Sequence, residues 1–318
     1  MTSRRDILRI AATASALGAL TRFAGCMRGE SLESGGKLHV ATSTTMVGDL
    51  ARRIGGERTD VRIMMGPGVD PHTFKPAPGD IAELVAAPLI FYSGLHLEGK
   101  MVELFEDRVA HKAFAITAAI PHEKLLAWSE GEAGAHDPHV WFDVSLWATA
   151  VPLVRDRLIA ADPAGAAIYR RNAEAIAASL AALHEEVKAT LGRVPKEKRV
   201  LVTSHDAYSY FGKAYDVEVR GVQGISTETE AGLREVNEAV DFIVRRKIPA
   251  LFVETSVNHK TIQQIRADCQ RRGMEVEIGG ELYSDAMGAV GDRPGYAVET
   301  YEGMVRYNVD TIANALLK

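Results

Sequence analysis

The chain has 318 residues, enough for two domains of ordinary size, and its 47% hydrophobic share suits a globular protein that buries a sizeable core. Its formal net charge of -5 comes from charges of both signs spread along the chain, with no basic stripe, so nucleic acid is excluded as an expected partner. Two cysteines exclude a disulfide framework and any multi-cysteine metal site.

The first segment reads as an address. "SRRDILRI" (Ser3 to Ile10) places Arg4 and Arg5 before the apolar run "AATASALGAL", which is too short to span a membrane. The pattern resembles a twin-arginine export signal. "FAGC" then resembles a bacterial lipobox with Cys26 as the acylated residue, although Phe23 and Arg22 depart from the usual pattern. Residues 1–36 are therefore expected to be export signal, lipobox and linker. They would place the chain in the periplasm or on the outer face of the cytoplasmic membrane. A cleaved signal with Cys26 unmodified is the alternative. Cys269, in the helical pattern "TIQQIRADCQRRG", reads as a small packed residue.

From Lys37 short apolar runs alternate with longer amphipathic ones. "KLHVATS", "DVRIMMG", "PLIFYSG" and "AFAIT" read as strands; "MVGDLARRIGG", "GDIAELVAA" and "EGKMVELFEDRVA" read as helices. This alternation predicts a parallel sheet flanked by helices, an α/β lobe over 37–161. The stretch from Asp162 to Val194 is apolar at helical spacing throughout. Asp162 suits an N-cap, Pro163 the first helical position and Gly192 the end. A helix of about 30 residues would run about 45 Å and could join two lobes as a rigid spine. Alternation then resumes: "VLVTS", "VEVRGVQ", "ALFVETS" and "EVEIGG" as strands, with helical patterns between them and a last helix in "AVETYEGMVRYNVDTIANALL". A second α/β lobe is expected over 195–318.

Open α/β sheets bind ligands beyond the carboxyl ends of their strands. His72 follows the strand "DVRIMMG" in "GVDPHTFKPAPGD". His139 lies in "HDPHVWFD", before a helix expected from about Asp143. His205 directly follows "VLVTS", and Asp285 follows "EVEIGG" in "ELYSDAMG". Each lobe supplies two, so the four can face one another across the cleft between lobes. Three imidazoles and a carboxylate suit zinc, and a carboxylate also suits manganese. Asp-Pro-His occurs twice, at 70–72 and 137–139. Proline fixes its own φ and biases the preceding residue toward extended backbone, so each step presents its histidine from a stiff loop. His136 and His96 lie near the same places; both read as loop or structural residues. His122, His184 and His259 fit exposed positions. Glu254, in "FVETS", ends a strand and could orient a histidine. No HExxH, G-x-S-x-G or P-loop pattern is present in the sequence.

Taken together, "DPHTFKPAPGDI", "GLHLEGKM", "DPHVWFD", "SHDAYSYFGKAYDVEVRGVQGISTETEAG" and "ELYSDAMG" resemble the solute-binding proteins of bacterial zinc and manganese ABC importers, the TroA-type members above all. The resemblance covers the chain after Lys37. It implies two α/β lobes joined by one rigid helix, with one metal ion between them held by His72, His139, His205 and Asp285. It also implies a permease and an ATPase as partners of a monomer, and no enzymatic activity. In that family manganese-selective members tend to carry glutamate where this chain has His205, and many zinc-specific members carry a long histidine-rich loop where it has only "SEGEAGAH". Zinc is favoured and manganese stays open. The alternative from another class is an exported metal-dependent hydrolase using the same cluster. A metal-dependent surface adhesin would share the site and differ only in its partner.

Overall fold

The computed structural model describes residues 36–128, 131 and 134–318. The export signal and Cys26 lie outside the described residues. Among those described, no helix is long and apolar enough to cross a membrane.

The N-terminal lobe follows the alternation. Strands β1 (Leu38–Thr42), β2 (Thr59–Ile63), β3 (Leu89–Tyr92) and β4 (Ala113–Ala115) form one parallel sheet in the order β2-β1-β3-β4. All four residues of β3 are buried, as a central parallel strand with both faces covered requires. Helix α1 (Thr45–Gly55) starts at Thr44, whose hydroxyl accepts the Val47 N–H, and α2 (Pro78–Ala86) starts with proline in its first position.

The stretch 98–110, expected as a regular helix, is a 3-10 turn (Gly99–Met101) followed by a π-helical turn (Leu104–Arg108). The buried Glu98 carboxylate accepts the backbone N–H groups of Ser93 (2.7 Å) and Gly94 (3.2 Å). Leu95 and His96 between them take left-handed backbone conformations, with φ of 54° and 63°. The chain thus enters 98–110 from a tight, side-chain-bonded turn rather than from a helix cap.

Two helices then lead toward the spine: α3 (Val144–Trp147), capped by the Asp143 carboxylate, and α4 (Ala150–Ala161). The spine is α5 (Ala166–Gly192), 27 residues or about 40 Å. It ends at Gly192 as its sequence implies, but begins later. Pro163–Gly165 form a 3-10 turn, and Asp162 makes no side-chain cap. Its carboxylate instead accepts from Arg58 (2.6 Å) and from the Tyr169 hydroxyl (2.6 Å), tying the start of the spine to the end of α1. Tyr169, Ala173, Ile176, Leu180, Leu183, Val187 and Leu191 form the buried stripe of α5, recurring every three or four residues. Each large apolar side chain so buried contributes about 1.5–3 kcal/mol.

The C-terminal lobe contains β5 (Val200–His205), α6 (Ser209–Tyr215), β6 (Glu218–Gln223), α7 (Leu233–Arg246), β7 (Ala250–Glu254), α8 (Lys260–Arg271), β8 (Glu277–Leu282) and α9 (Tyr301–Leu317). The strands pair in parallel as β5–β6 and β7–β8, with β5 running beside β7. Cys269 is buried on α8 among Ile262 and Ile265, a packed residue as expected. The spine packs on α1, α3 and α4 from one lobe and on α6 and α9 from the other. One apolar core runs through it, from Leu38 and Phe91 to Phe252 and Leu316. A half-buried polar knot reinforces that junction: Arg53 of α1 donates to Glu302 of α9 (Nη2 to Oε1, 2.6 Å), which also accepts from Ser179 of α5 (2.9 Å).

Candidate metal centre

His72, His139, His205 and Asp285 converge. One ligand atom from each lies within 4.8 Å of the others, and all four residues are buried. Nε2 of His139 is 3.3 Å from Nε2 of His72 and 3.4 Å from Nε2 of His205; Asp285 Oδ1 is 3.4 Å from the same atom of His139 and of His205. Donors about 2.0–2.1 Å from a tetrahedral zinc ion stand about 3.3–3.4 Å apart. Four of the six edges therefore already have the length of a zinc tetrahedron.

Local structure aims each side chain. In the first Asp-Pro-His step, Asp70 Oδ1 accepts the His72 backbone N–H at 2.9 Å. In the second, Asp137 Oδ1 accepts the His139 N–H at 2.9 Å and also its ring Nδ1–H at 2.8 Å. The aspartate therefore matters as much as the proline: it closes a short loop onto the nitrogen of the histidine two residues on. Trp141, three residues from Pro138, reaches from this loop to the other lobe and donates its indole N–H to the Ser284 carbonyl (3.0 Å).

His205 is the last residue of β5, paired with Gln223 at the end of β6. The neighbouring strand β7 ends in Glu254, whose carboxylate accepts the His205 N–H (3.0 Å) and its Nδ1–H (2.5 Å). Glu254 takes the orienting position that its place at a strand end suggested. With Nδ1 donating to a carboxylate, His139 and His205 aim Nε2 at the centre, where the neutral ring presents its lone pair. Among the described residues no carboxylate reaches Nδ1 of His72. Gly221 lets β6 approach closely enough to support this arrangement: a Cβ there would lie 2.4 Å from the Asp206 backbone nitrogen, next to His205.

Asp285 follows β8 by three residues. Its Oδ2 accepts from the Ser256 hydroxyl at 2.9 Å, while Oδ1 is buried with no hydrogen-bond partner and faces the three imidazoles. A buried carboxylate oxygen left so is costly unless a cation sits against it. The strand end behind it is held by Asn308 of α9, which accepts from the Tyr283 N–H (3.0 Å) and donates to its carbonyl (2.7 Å).

The electrostatics agree. Burial resists charging His139, but the Asp137 hydrogen bond and Asp285 outweigh it and raise its pKa to about 9. Burial likewise opposes a charge on His205, and Glu254 and Asp285 still push it well above the usual imidazole value. Burial would raise Asp285; the facing histidines, His205 foremost, hold it well below the usual carboxylate range. His72 behaves oppositely: burial lowers it to about 3. The surroundings of His139 and His205 thus form a negative field that attracts a cation.

The other histidines stay outside the cluster. His136 stacks edge-on against His122, with ring centroids 4.7 Å apart, and lines a cavity of about 810 Å³ together with His72, His96 and Trp128. His184, expected to be exposed, is half-buried and lies 3.1 Å from the Tyr215 hydroxyl. Asp70, Asp137, Ser256 and Ser284 were not singled out by residue type and spacing. The two aspartates had a visible signal in the repeated Asp-Pro-His; the serines had none.

Two parallel-stranded α/β lobes on one helical spine, with three imidazoles and a carboxylate buried at the strand ends between them, define a binding protein for a cation. The chain belongs to the ZnuA family, described as zinc-uptake complex component A, periplasmic, which matches residues 40–315. It is 42% identical over 281 residues to the manganese-binding lipoprotein MntA of Bacillus subtilis, covering 88% of this chain and 90% of that one. It is 41% identical over 311 residues to the zinc-binding protein TroA of Treponema pallidum, covering 98% of this chain and 99% of that one. The solved structure of the periplasmic zinc-binding TroA from Treponema pallidum superposes with a TM-score of 0.85, over 89% of this chain and all of the other.

Proposed function

We propose that this chain captures one zinc ion outside the cytoplasmic membrane and delivers it to the permease and ATPase subunits of an ABC importer. His72, His139, His205 and Asp285 are the four ligands. The ion sits between a lobe over 37–161 and a lobe over 195–318, joined by the helix within 162–194. The chain acts as a monomer without enzymatic activity, held at the membrane surface by lipid on Cys26.

The observation that carries this reading is the meeting of three Nε2 atoms with an unpartnered Asp285 Oδ1, all within 4.8 Å and four of the six separations at 3.3–3.4 Å. The two relatives named above bind different metals at nearly equal identity to this chain, so overall similarity does not choose between zinc and manganese. The donor set favours zinc: it accepts nitrogen readily in four-coordinate geometry, whereas manganese lies low in the Irving–Williams order and favours more oxygen donors. No observation favours the hydrolase alternative. Four converging donors leave a tetrahedral ion no open position for an activated water.

The test is metal analysis of protein purified without chelator, followed by zinc–manganese competition on the wild type and on His205→Glu. One ion per chain is expected, with the zinc-to-manganese affinity ratio falling about tenfold in the variant, about 1.4 kcal/mol. An unchanged or higher ratio removes residue 205 as the source of the preference. Binding to the native state alone should also raise the melting temperature, by the equivalent of about 4 kcal/mol at a thousandfold excess of zinc over Kd.

A further inference from the structure

His72 differs from the other ligands in how it is held. Its ring has no carboxylate behind it among the described residues, and of the four it alone lines the 810 Å³ cavity. What holds it comes from the opposite lobe. Asp70, whose Oδ1 fixes the His72 N–H, accepts through Oδ2 from the Thr227 hydroxyl at 2.6 Å. Thr227 lies in the loop Gly224–Gly232 between β6 and α7.

That loop is anchored at the metal centre from its own side. Gln223, paired with His205 at the end of β6, donates its side-chain amide to the carbonyls of Thr227 (2.9 Å) and Thr229 (2.7 Å). A second contact crosses the cleft one residue on, from Lys100 to Glu228 at 2.5 Å. A line thus joins two ligands from different lobes without passing through the ion: His205 is the strand partner of Gln223, and hydrogen bonds then link Gln223 to Thr227, Thr227 to Asp70 and Asp70 to the His72 N–H. The wall of the cavity in front of His72 includes Ser226 and Glu228 of the same loop.

We propose that the loop Gly224–Gly232 straps His72 into the site, with Thr227 as a positioning residue acting through Asp70, and that the strap sets the rate at which the metal leaves. The proposal rests on the metal-binding reading above. Its logic is kinetic. The other three ligands are fixed by side-chain partners beside them, so the ion is released most easily by withdrawing the ligand at the cavity. Withdrawing His72 requires its loop to move, and the loop is tied to the far lobe by a hydrogen bond to a carboxylate, the stronger kind. The exposed Lys100–Glu228 pair adds little of its own.

The experiment compares wild type, Thr227→Val and Thr227→Ser loaded with zinc. Release is followed by stopped flow into excess chromophoric chelator, and capture by mixing metal-free protein with zinc. Thr227→Val keeps the shape and loses the O–H donor. It should release zinc about tenfold faster, a change of about 1.4 kcal/mol, with a capture rate within about twofold of wild type. Thr227→Ser, which keeps the donor, should restore slow release. A general loss of structure would not separate the two rates or be rescued by serine. Equal release rates in wild type and Thr227→Val overturn the strap while leaving metal binding intact, as does an affinity loss seen only in capture. A wild type that takes up no zinc overturns the metal-binding reading itself, and the strap with it.

Discussion

Asp70-Pro71-His72 and Asp137-Pro138-His139 begin alike: in both, the aspartate accepts the backbone N–H of the histidine at 2.9 Å. They differ in what else the carboxylate accepts. Asp137 turns back on its own histidine and takes the ring Nδ1–H, and the step is sealed by the Tyr210 hydroxyl donating to the Asp137 carbonyl (3.0 Å). Asp70 leaves the ring alone and reaches outward to Thr73 and Thr227. The same three residues thus fix the histidine ring through its Nδ1 in one place and not in the other. Backbone stiffness is set by the motif, but ring orientation is set by whatever the second interaction of the aspartate meets.

The largest expected difference follows from removing each ring. His139 touches the other three donors, so His139→Ala should weaken zinc binding by about a thousandfold, about 4 kcal/mol. His72→Ala should lose about a hundredfold, because three well-oriented donors remain. Chelator competition measures both; equal losses would break the comparison.

Changing the aspartates sharpens it. Asp137→Asn replaces the acceptor that orients the His139 ring, and loss of such a partner typically costs 10–100-fold in metal affinity. The upper end of that range is expected here. Asp70→Asn should cost about tenfold, nearly all of it in the release rate, since it acts on the loop and not on the ring. Titration of both variants with zinc, alongside release kinetics, checks the split.

The smallest effect is a proton count. Without metal, His139 titrates near 9 and so carries a proton at pH 7, whereas His72, near 3, does not. Zinc must displace the first proton and not the second. Apparent affinity should therefore fall as pH drops below about 9, and calorimetry in buffers of different ionisation enthalpy should show proton release at pH 7. His139→Ala should reduce that release, and His72→Ala should leave it unchanged. Stability of the metal-free protein follows the same shifts. The raised pKa of His139 contributes stability that is full below about 6.5 and lost as pH rises through about 9. The depressed pKa of His72 removes stability as pH falls below about 6.5 toward 3, because the unfolded chain then binds the proton that the folded one refuses.

Much of this molecule could be read from local pattern. Alternating apolar runs specify the parallel strands and their helices; His72, His205 and Asp285 are recognisable by their places at or after strand ends, where α/β sheets bind ligands, and His139 by its Asp-Pro-His step before a helix. The spine is legible in a single long stripe ending at Gly192. These features depend on neighbours a few residues apart, and periodicity records such neighbours directly. The segment 98–110 departs from its helical spacing, entered as it is from a turn that the buried Glu98 closes on Ser93 and Gly94. Only the tertiary structure decided the rest: that four donors meet within 4.8 Å, that Glu254 lies behind His205, that Asp285 Oδ1 is left facing the imidazoles, and that Asp70 finds Thr227 157 residues away. Those relations are set by strand register and by the packing of two lobes on α5. Each contact joins residues that have no spacing in common, so no local pattern carries it.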